Sequence, residues 1–166
     1  AIDGVDDSKK LTEKQREELL PAIEEAAVAI GIGRVDAETI DRINIKQAAR
    51  LAMKQAVEAL AAKPGHLLID AESVALPLPQ TSIIHGDELS LSIAAASIVA
   101  KVTRDRLCLE WDKLYPEYGI AAHKGYATKL HRERLLIYGP SPMHRRSFLR
   151  KLFPEQADGV EQMRLF

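Results

Sequence analysis

The spacing of apolar and polar positions divides the early part of the chain into helices and one strand. Thr12, with Gln15 three residues later, has the pattern of a capping box and predicts that a helix begins there. Pro21 suits the first turn of a second short helix, or else kinks the first one. Residues 28–35 are apolar and β-branched, which predicts a strand, and Asp36 is typical of the N-cap of a short helix.

The middle of the chain predicts one further helix and two short strands. Asn44 stands three residues before Gln47, so it is placed to cap a helix over residues 45–60, where apolar side chains recur at helical spacing. Residues 66–69 predict a buried strand, and residues 81–84 predict another. For a chain of 166 residues, one compact α/β domain is the natural expectation.

A segment of small residues follows the second of these strands. Residues 90–107 are rich in alanine and serine, which predicts a helix that packs very close to its neighbours. We expect Arg104, Asp105 and Arg106 to be surface charges on this helix. Cys108 is expected to fill space in the core.

Two acidic residues stand where elements begin or end. Asp70 follows the predicted strand at 66–69, and Asp87 precedes the helix of small residues. Carboxylates at such positions can converge, and two converging carboxylates bind a hard cation such as Mg²⁺ or Mn²⁺. A turn-forming role for Asp70 and an N-cap role for Asp87 are the alternatives, although a cap residue can also bind a metal.

Composition narrows the class of protein. With 166 residues, 46% of them hydrophobic and 28% charged, the chain fits one compact soluble domain, expected over residues 1–152, with 153–166 as a flexible tail. Cys108 is the single cysteine, which excludes a disulfide framework and fits a reducing cytoplasm. No apolar run is long enough to span a bilayer. Neither a dinucleotide fingerprint nor a Walker-type loop occurs, which argues against a small-molecule enzyme.

Residues 123–151 form a basic segment. They contain eight Lys or Arg and one acidic residue, a balance of +7 in a chain whose net charge is −1. This asymmetry favours a polyanionic partner, with a solvated helix face as the alternative. Tyr126 offers a ring that can stack on a sugar or base. Near the start of the chain, Ser8 and Lys9 provide a hydroxyl and a cation suited to a phosphate.

Five motifs in a fixed order resemble those of prokaryotic ribonuclease HII, the type 2 ribonuclease H. They read DSKKLT, LLIDA, GDELSLSIAAASIVAKVTRDR, HKGYAT and GPSPMHRRSF. The resemblance covers about residues 4–150. It implies a ribonuclease H-like α/β fold, with a central mixed sheet flanked by helices and a helical C-terminal part.

The resemblance also implies an activity and a site. The activity is hydrolysis of the RNA strand of RNA/DNA hybrids and incision at ribonucleotides embedded in duplex DNA. Catalysis in the family uses two metal ions, Mn²⁺ or Mg²⁺, held by four carboxylates, of which two map onto Asp70 and Asp87. Tyr126 would stack on the sugar beside the ribonucleotide. The other residues expected to contact the nucleic acid are Ser8, Lys9, Asn44, Lys124, Arg145 and Arg146.

The sequence departs from the family pattern at its beginning. The family's first-strand motif, an Asp-Glu pair followed by Gly-Arg-Gly, lies upstream of the DSK motif and has no counterpart from Ala1 onward. We expect the intact protein to carry such a segment, because loss of a central strand would leave sheet backbone unpaired. The sequence as given is expected to be inactive by itself.

Two alternatives to this function remain open. One is a non-catalytic nucleic-acid-binding module of the same fold, and the other is a nuclease of that fold acting on DNA junctions. Cleavage of a duplex with one embedded ribonucleotide, compared with an all-DNA duplex, separates these from a ribonuclease. We expect a monomer, located in the cytoplasm and not associated with membranes.

The last five residues predict a docking peptide. Gln162, Leu165 and Phe166 resemble the Gln-x-x-Leu-Phe peptides with which bacterial replication and repair enzymes bind the sliding clamp. Short apolar anchors on a tail suit a preformed groove. Deletion of Leu165 and Phe166 should therefore remove binding to the clamp, measured by titration. Unchanged affinity would show that the tail has no such role.

Overall fold

A computed structural model describes residues 2–5 and 8–154 of the chain. Its elements, in chain order, are α1 (Glu13–Ala26), α2 (Ala37–Ile43), α3 (Ile45–Glu58), β1 (Leu67–Asp70), β2 (Gln80–Ile83), α4 (Gly86–Leu89), α5 (Leu91–Leu114), α6 (Ile120–His123) and α7 (Lys129–Tyr138). Two 3₁₀ turns cover Pro116–Tyr118 and Arg146–Phe148. Of the helices in the described ranges, none has the length and hydropathy that crossing a membrane requires.

The chain divides into two compact units. Unit 1 comprises Ala1–Arg34 and Ala49–Leu107, and unit 2 comprises Val35–Ala48 and Cys108–Phe166. Compactness alone does not define an independently folding domain. A single domain over residues 1–152 therefore remains a prediction.

The helix caps follow the local sequence. In the capping box, the Gln15 N–H donates to the Thr12 hydroxyl at 3.2 Å, and the Thr12 N–H donates to the Gln15 side chain at 2.8 Å. Pro21 lies inside α1, which excludes a separate second helix there. Asp36 caps α2, and Asn44 caps α3. All three predicted helix starts are confirmed, since a cap depends on residues within one turn.

The helix of small residues forms part of the core of unit 1. Ile98 and Val102 of α5 pack against Leu20 and Ile23 of α1, and Ile98 is fully buried. Alanines and serines on α5 allow α1 to approach closely. The predicted packing role of residues 90–107 is thereby confirmed.

The strands β1 and β2 are parallel, and their register pairs Leu67 with Gln80 and Asp70 with Ile83. Leu67 and Ile69 are buried with Val74, whereas Leu68 is 46% exposed. Both predicted strands are confirmed, but β1 is buried on one face and not on both. The Gln80 side-chain amide bonds both the N–H and the carbonyl of Val74, which fixes the connecting loop against the sheet.

The strand predicted over residues 28–35 is wrong, because these residues join no sheet in the described chain. Their glycines serve a different purpose. A methyl group at Gly33 would lie 1.8 Å from the Ala52 carbonyl oxygen, and one at Gly31 would lie 2.1 Å from the Ala56 carbonyl oxygen. The segment therefore lies directly on the backbone of α3, a contact that apolar periodicity does not reveal.

Asp105 is buried, which corrects its assignment as a surface charge. Its carboxylate accepts from Arg16 at 3.2 Å and from Lys101 at 2.8 Å, and the Arg16 and Asp105 side chains are 10% and 4% exposed. Burial raises the pKa of Asp105, but Lys101 and Arg16 outweigh that effect and hold it below its usual value. Arg16 also donates to the carbonyl oxygens of Ser8 and Leu11. This ion network therefore ties the start of the chain to α1 and α5.

The core of unit 2 contains aromatic and imidazole rings. Cys108, Tyr118, Ile120 and Leu135 form its apolar cluster, which confirms the core role of Cys108. His123 and His131 are buried and His144 is half-buried. These three histidines of the basic segment thus face inward.

We predict that Asp105→Asn destabilises the protein by about 3–5 kcal/mol, because it leaves the buried Arg16 without a counter-charge. Glu17→Gln is the matched control. It breaks the bridge from Glu17 to Arg106, which also joins α1 to α5 but is 37% and 56% exposed. That change should cost less than about 1 kcal/mol. Denaturant unfolding measures both, and equal losses would contradict the role assigned to burial.

Candidate metal and nucleic-acid site

Asp70 stands at the carboxyl end of β1, and the chain turns sharply after it. The next residue, Ala71, has φ of 51°, in the left-handed region that non-glycine residues rarely adopt. The Asp70 carboxylate Oδ1 accepts the Gly86 N–H at 2.9 Å. The side chain is thus turned towards α4, on the segment that follows β2.

Asp87 lies in the first turn of α4 and is 6% exposed. The N-cap of α4 is His85, with φ of 57°, and at the start of α5 the Ile93 N–H donates to the Ser90 hydroxyl, so the N-cap alternative for Asp87 is wrong. Its carboxylate Oδ2 accepts the Lys9 ammonium at 2.9 Å. The adjacent Lys9 ammonium offsets the free-energy cost of removing this buried carboxylate from water.

Gly86 lies between the two acidic residues. Its N–H binds Asp70, and its successor in the chain is Asp87. A methyl group at this position would lie 2.6 Å from Ile93 Cδ1 and 3.5 Å from Asp70 Oδ1. The absence of a side chain at Gly86 therefore allows α4 to begin against the end of β1, and it makes the two acids neighbours.

The donor set fits a hard divalent cation. Carboxylate oxygens are the ligands that Mg²⁺ and Mn²⁺ prefer in proteins, and Asp70 at the end of β1 and Asp87 in the first turn of α4 provide them. Within residues 2–5 and 8–154, no group of three or more His, Cys, Asp or Glu side chains is arranged to hold a metal. Asp70 and Asp87 can thus supply part of a coordination sphere, which further oxygen ligands must complete.

The start of the chain contributes the cation at this site. Lys9 is 77% exposed along its side chain even though its ammonium binds Asp87. Ser8 is buried, and its hydroxyl shares a hydrogen bond of 2.5 Å with that of Ser97 on α5. Of this predicted phosphate-binding pair, Lys9 is the more accessible, and the Ser8 hydroxyl is engaged within the fold.

Unit 2 holds the other predicted nucleic-acid-binding residues. The Tyr126 ring is 60% exposed in the loop between α6 and α7, and Lys124 is in that loop with φ of 51°. The exposed Asn44 caps α3. Arg145 lies over the Phe148 ring, 3.8 Å from its centroid, and Arg146 is exposed. The roles of these side chains at nucleic acid stay predictions.

Asp41 is a residue that sequence reasoning missed. Its carboxylate accepts from the backbone N–H of Arg146 at 2.7 Å and of Ser147 at 2.9 Å, and also from the Ser147 hydroxyl. It thereby fixes the turn that carries the arginine pair. Nothing local marks this partnership, because about 100 residues separate Asp41 from the turn.

The predicted clamp-binding residues Gln162, Leu165 and Phe166 lie outside the described residues.

We predict that Gly86→Ala destabilises the protein by about 1–3 kcal/mol through overpacking against Ile93. It should also weaken binding of Mn²⁺ about 10- to 100-fold, as is usual when the partner of a metal-binding carboxylate is displaced. Gly65→Ala is the control, because a methyl group there meets nothing within 4 Å. Unfolding and metal titration of the intact protein measure both effects. Unchanged Mn²⁺ affinity in Gly86→Ala would contradict the contact as a determinant of the site.

Comparison with known proteins places these observations in a family. The family model described as Ribonuclease HII matches residues 3–151. Ribonuclease HII of Alkaliphilus metalliredigens is 59% identical over 157 residues, which are 91% of this chain and 77% of that protein. Ribonuclease HII of Geobacillus kaustophilus is 56% identical over 147 residues, which are 89% of this chain and 56% of that protein.

A solved structure supports the same conclusion. The crystal structure of ribonuclease H2 from Pyrococcus horikoshii matches with a TM-score of 0.71 and 25% identity, over 92% of this chain and 81% of that one. The ribonuclease H-like α/β fold expected from the motifs is confirmed. The chain belongs to the ribonuclease HII family of metal-dependent endoribonucleases.

Proposed function

We propose that the protein hydrolyses the RNA strand of RNA/DNA hybrids and incises duplex DNA at embedded ribonucleotides. The observation that carries this proposal is the contact between Asp70 and α4, which makes Asp70 and Asp87 neighbours in a chain of the ribonuclease HII family. A metal-dependent nuclease needs carboxylates close together, because they hold the cations that the anionic scissile phosphate must approach.

Asp70 and Asp87 are the proposed metal ligands, for Mn²⁺ or Mg²⁺. When bound, such cations would supply activation of a water molecule and stabilisation of the leaving oxygen of the phosphodiester. The protein's part is to hold the two carboxylates in fixed orientations. The Gly86 N–H does this for Asp70, and the Lys9 ammonium does it for Asp87.

Lys9 has a second proposed role at the phosphate. Its long side chain is mostly exposed, so its ammonium can move from Asp87 to an oxygen of a bound backbone at little cost in hydration. A cation that leaves a carboxylate when substrate arrives would free that carboxylate for metal. Contacts of this kind position the duplex without reading its sequence.

In unit 2, Tyr126 is proposed to stack on the sugar beside the ribonucleotide, with Lys124, Arg145 and Arg146 at phosphates. Exposure of the Tyr126 ring and of the Arg146 side chain supports these roles. The 2′-hydroxyl is the chemical mark that distinguishes ribonucleotide from deoxyribonucleotide. A monomer in the cytoplasm, and clamp binding through the tail, stay predictions that accompany this function.

In the intact protein, Asp70→Asn should lower the cleavage rate about 1000-fold or more, because metal-assisted stabilisation of the transition state is worth several kcal/mol. Binding of the duplex should be largely retained. Glu88→Gln is the control, since Glu88 adjoins Asp87 but is 47% exposed and pairs with Lys10. Rates are measured on a duplex with one ribonucleotide and on its all-DNA counterpart. Full activity of Asp70→Asn would remove the metal-ligand assignment, and cleavage of the all-DNA duplex would favour a different substrate.

Tyr126→Ala should lower activity on a single embedded ribonucleotide about tenfold, the scale of aromatic stacking on a nucleotide. Tyr126→Phe keeps the ring and should retain most of that activity. Long RNA/DNA hybrids offer many equivalent sites, so the loss on them should be smaller. Equal losses on both substrates would contradict a role at the junction between ribonucleotide and deoxyribonucleotide.

A further inference from the structure

Three imidazole rings form one connected cluster in unit 2. The Nε2 atoms of His131 and His144 lie 3.0 Å apart. The rings of His123 and His131 are stacked, with centroids 4.1 Å apart and planes 13° from parallel. The ring of Tyr118 lies against His144 with a centroid distance of 4.9 Å. None of these rings has a role in the function proposed above.

The partners of the cluster determine where its protons lie. His131 Nδ1 faces the carbonyl oxygen of Tyr126 at 2.9 Å, and a carbonyl only accepts, so Nδ1 carries the proton. His144 Nδ1 accepts the backbone N–H of Ser141 at 3.0 Å, so this nitrogen carries none. In the neutral rings, His144 Nε2–H therefore donates to the bare Nε2 of His131.

The third ring follows the same logic. His123 Nε2 faces the Tyr118 carbonyl oxygen at 2.8 Å and must carry a proton, while its Nδ1 accepts the Gly125 N–H at 3.1 Å. All three rings are thus satisfied in their neutral forms. The result is a directional chain of hydrogen bonds from Ser141 through His144 and His131 to the carbonyl of Tyr126.

The chain ends on the loop that presents the Tyr126 ring. The carbonyl of Tyr126 accepts from His131 and from the Thr128 N–H, and its own N–H donates to the His123 carbonyl at 2.8 Å. The backbone of Tyr126 is therefore held on both sides while its ring is 60% exposed. A ring that must meet a sugar gains from a backbone fixed before binding, because less freedom is lost on association.

We propose that His144 and His131 are positioning residues for Tyr126, and that their neutral hydrogen-bond chain fixes the Tyr126 loop for a ribonucleotide-containing duplex. The part that concerns substrate rests on the proposed function. The hydrogen-bond chain itself does not, and it is open to direct measurement.

The surroundings keep the chain neutral. Burial, then His131 and His123, lower the pKa of His144 to about 4. Burial is also the first cause of the lowered pKa of His131. Tyr118 is the other titratable group facing His144, and its own pKa is raised by burial, then by Glu117 and Tyr115.

Protonation of His131 breaks the chain, because a second proton must go to Nε2, where it meets the Nε2–H of His144. A second proton on His144 must go to Nδ1, where it displaces the Ser141 N–H and has the Ser141 hydroxyl, 2.8 Å away, as its acceptor. Both pKa values lie below the ordinary 6.5, so the unfolded chain takes up these protons first as the pH falls. The contribution of these two histidines to the free energy of unfolding is therefore complete above about pH 6.5 and declines as the pH falls towards 4.

The first experiment assigns the tautomers by proton–nitrogen NMR of the intact protein at neutral pH. The expected result is a proton on Nδ1 of His131 and on Nε2 of His123 and His144. At pH 6.5, where an ordinary histidine is half protonated, His144 should be neutral. A proton on Nε2 of His131, or a half-protonated His144 at pH 6.5, would overturn the chain.

The second experiment separates positioning from folding, with His144→Gln and His144→Phe in the cleavage-deficient Asp70→Asn background. Glutamine can place an N–H where Nε2–H lies, and phenylalanine keeps the ring without a donor. His144→Phe should weaken binding of a duplex with one ribonucleotide about tenfold, which is the scale of one lost hydrogen bond. His144→Gln keeps a donor and should weaken binding less than about threefold. His144→Gln should also flatten the decline of stability between pH 6.5 and 4.

A double-mutant cycle with Tyr126→Ala completes the test. If the imidazoles act through Tyr126, His144→Phe weakens binding no further once the ring is gone. Additive losses would mean a structural role and overturn the proposal. If Tyr126→Ala itself has no effect on binding, the proposed function of Tyr126 fails, while the NMR result still decides whether the hydrogen-bond chain exists.

Discussion

The hydrogen bond from the Gly86 N–H to the Asp70 carboxylate is the contact on which the rest of the site depends. It joins the carboxyl end of β1 to the first turn of α4, and it makes Asp70 a neighbour of Asp87. Carboxylates near one another repel unless cations or N–H donors compensate them. Here the backbone N–H compensates one acid and Lys9 compensates the other. The fold can therefore hold both carboxylates in place, and their oxygens suit a divalent cation.

Charge in unit 2 is separated between surface and interior. Lys129, Arg132 and Arg146 are exposed, whereas the imidazoles of His131 and His144 lie inward with lowered pKa values. The positive charge on the surface of the basic segment is thus carried by lysine and arginine. The predicted attraction of a polyanion and the proposed fixation of the Tyr126 loop therefore involve different residues of the same segment.

Sequence reasoning succeeded where the determinant was local or carried by a motif. Thr12, Asp36 and Asn44 cap helices because each cap needs partners within one turn. It failed where the partner was distant. Asp105 looked like a surface charge, since nothing in its neighbourhood marks Arg16 as its counter-ion. The tautomers of the histidine cluster and the contact of Asp41 with Ser147 likewise depend on tertiary structure. The roles of the candidate residues in binding and catalysis are still predictions.

The glycines that rest on α3 restrict how this region can vary. Ala52 and Ala56 meet Gly33 and Gly31 on one side of the helix, while Met53 and Val57 pack against the core of the parallel strands on another. The rotational register of α3 is therefore fixed from two directions. Insertion or deletion of one residue within it would rotate every later side chain by about 100° and break both contacts. Insertions and deletions in this part of the family are expected in the loop after Glu58, because a change of length there does not rotate the side chains of α3.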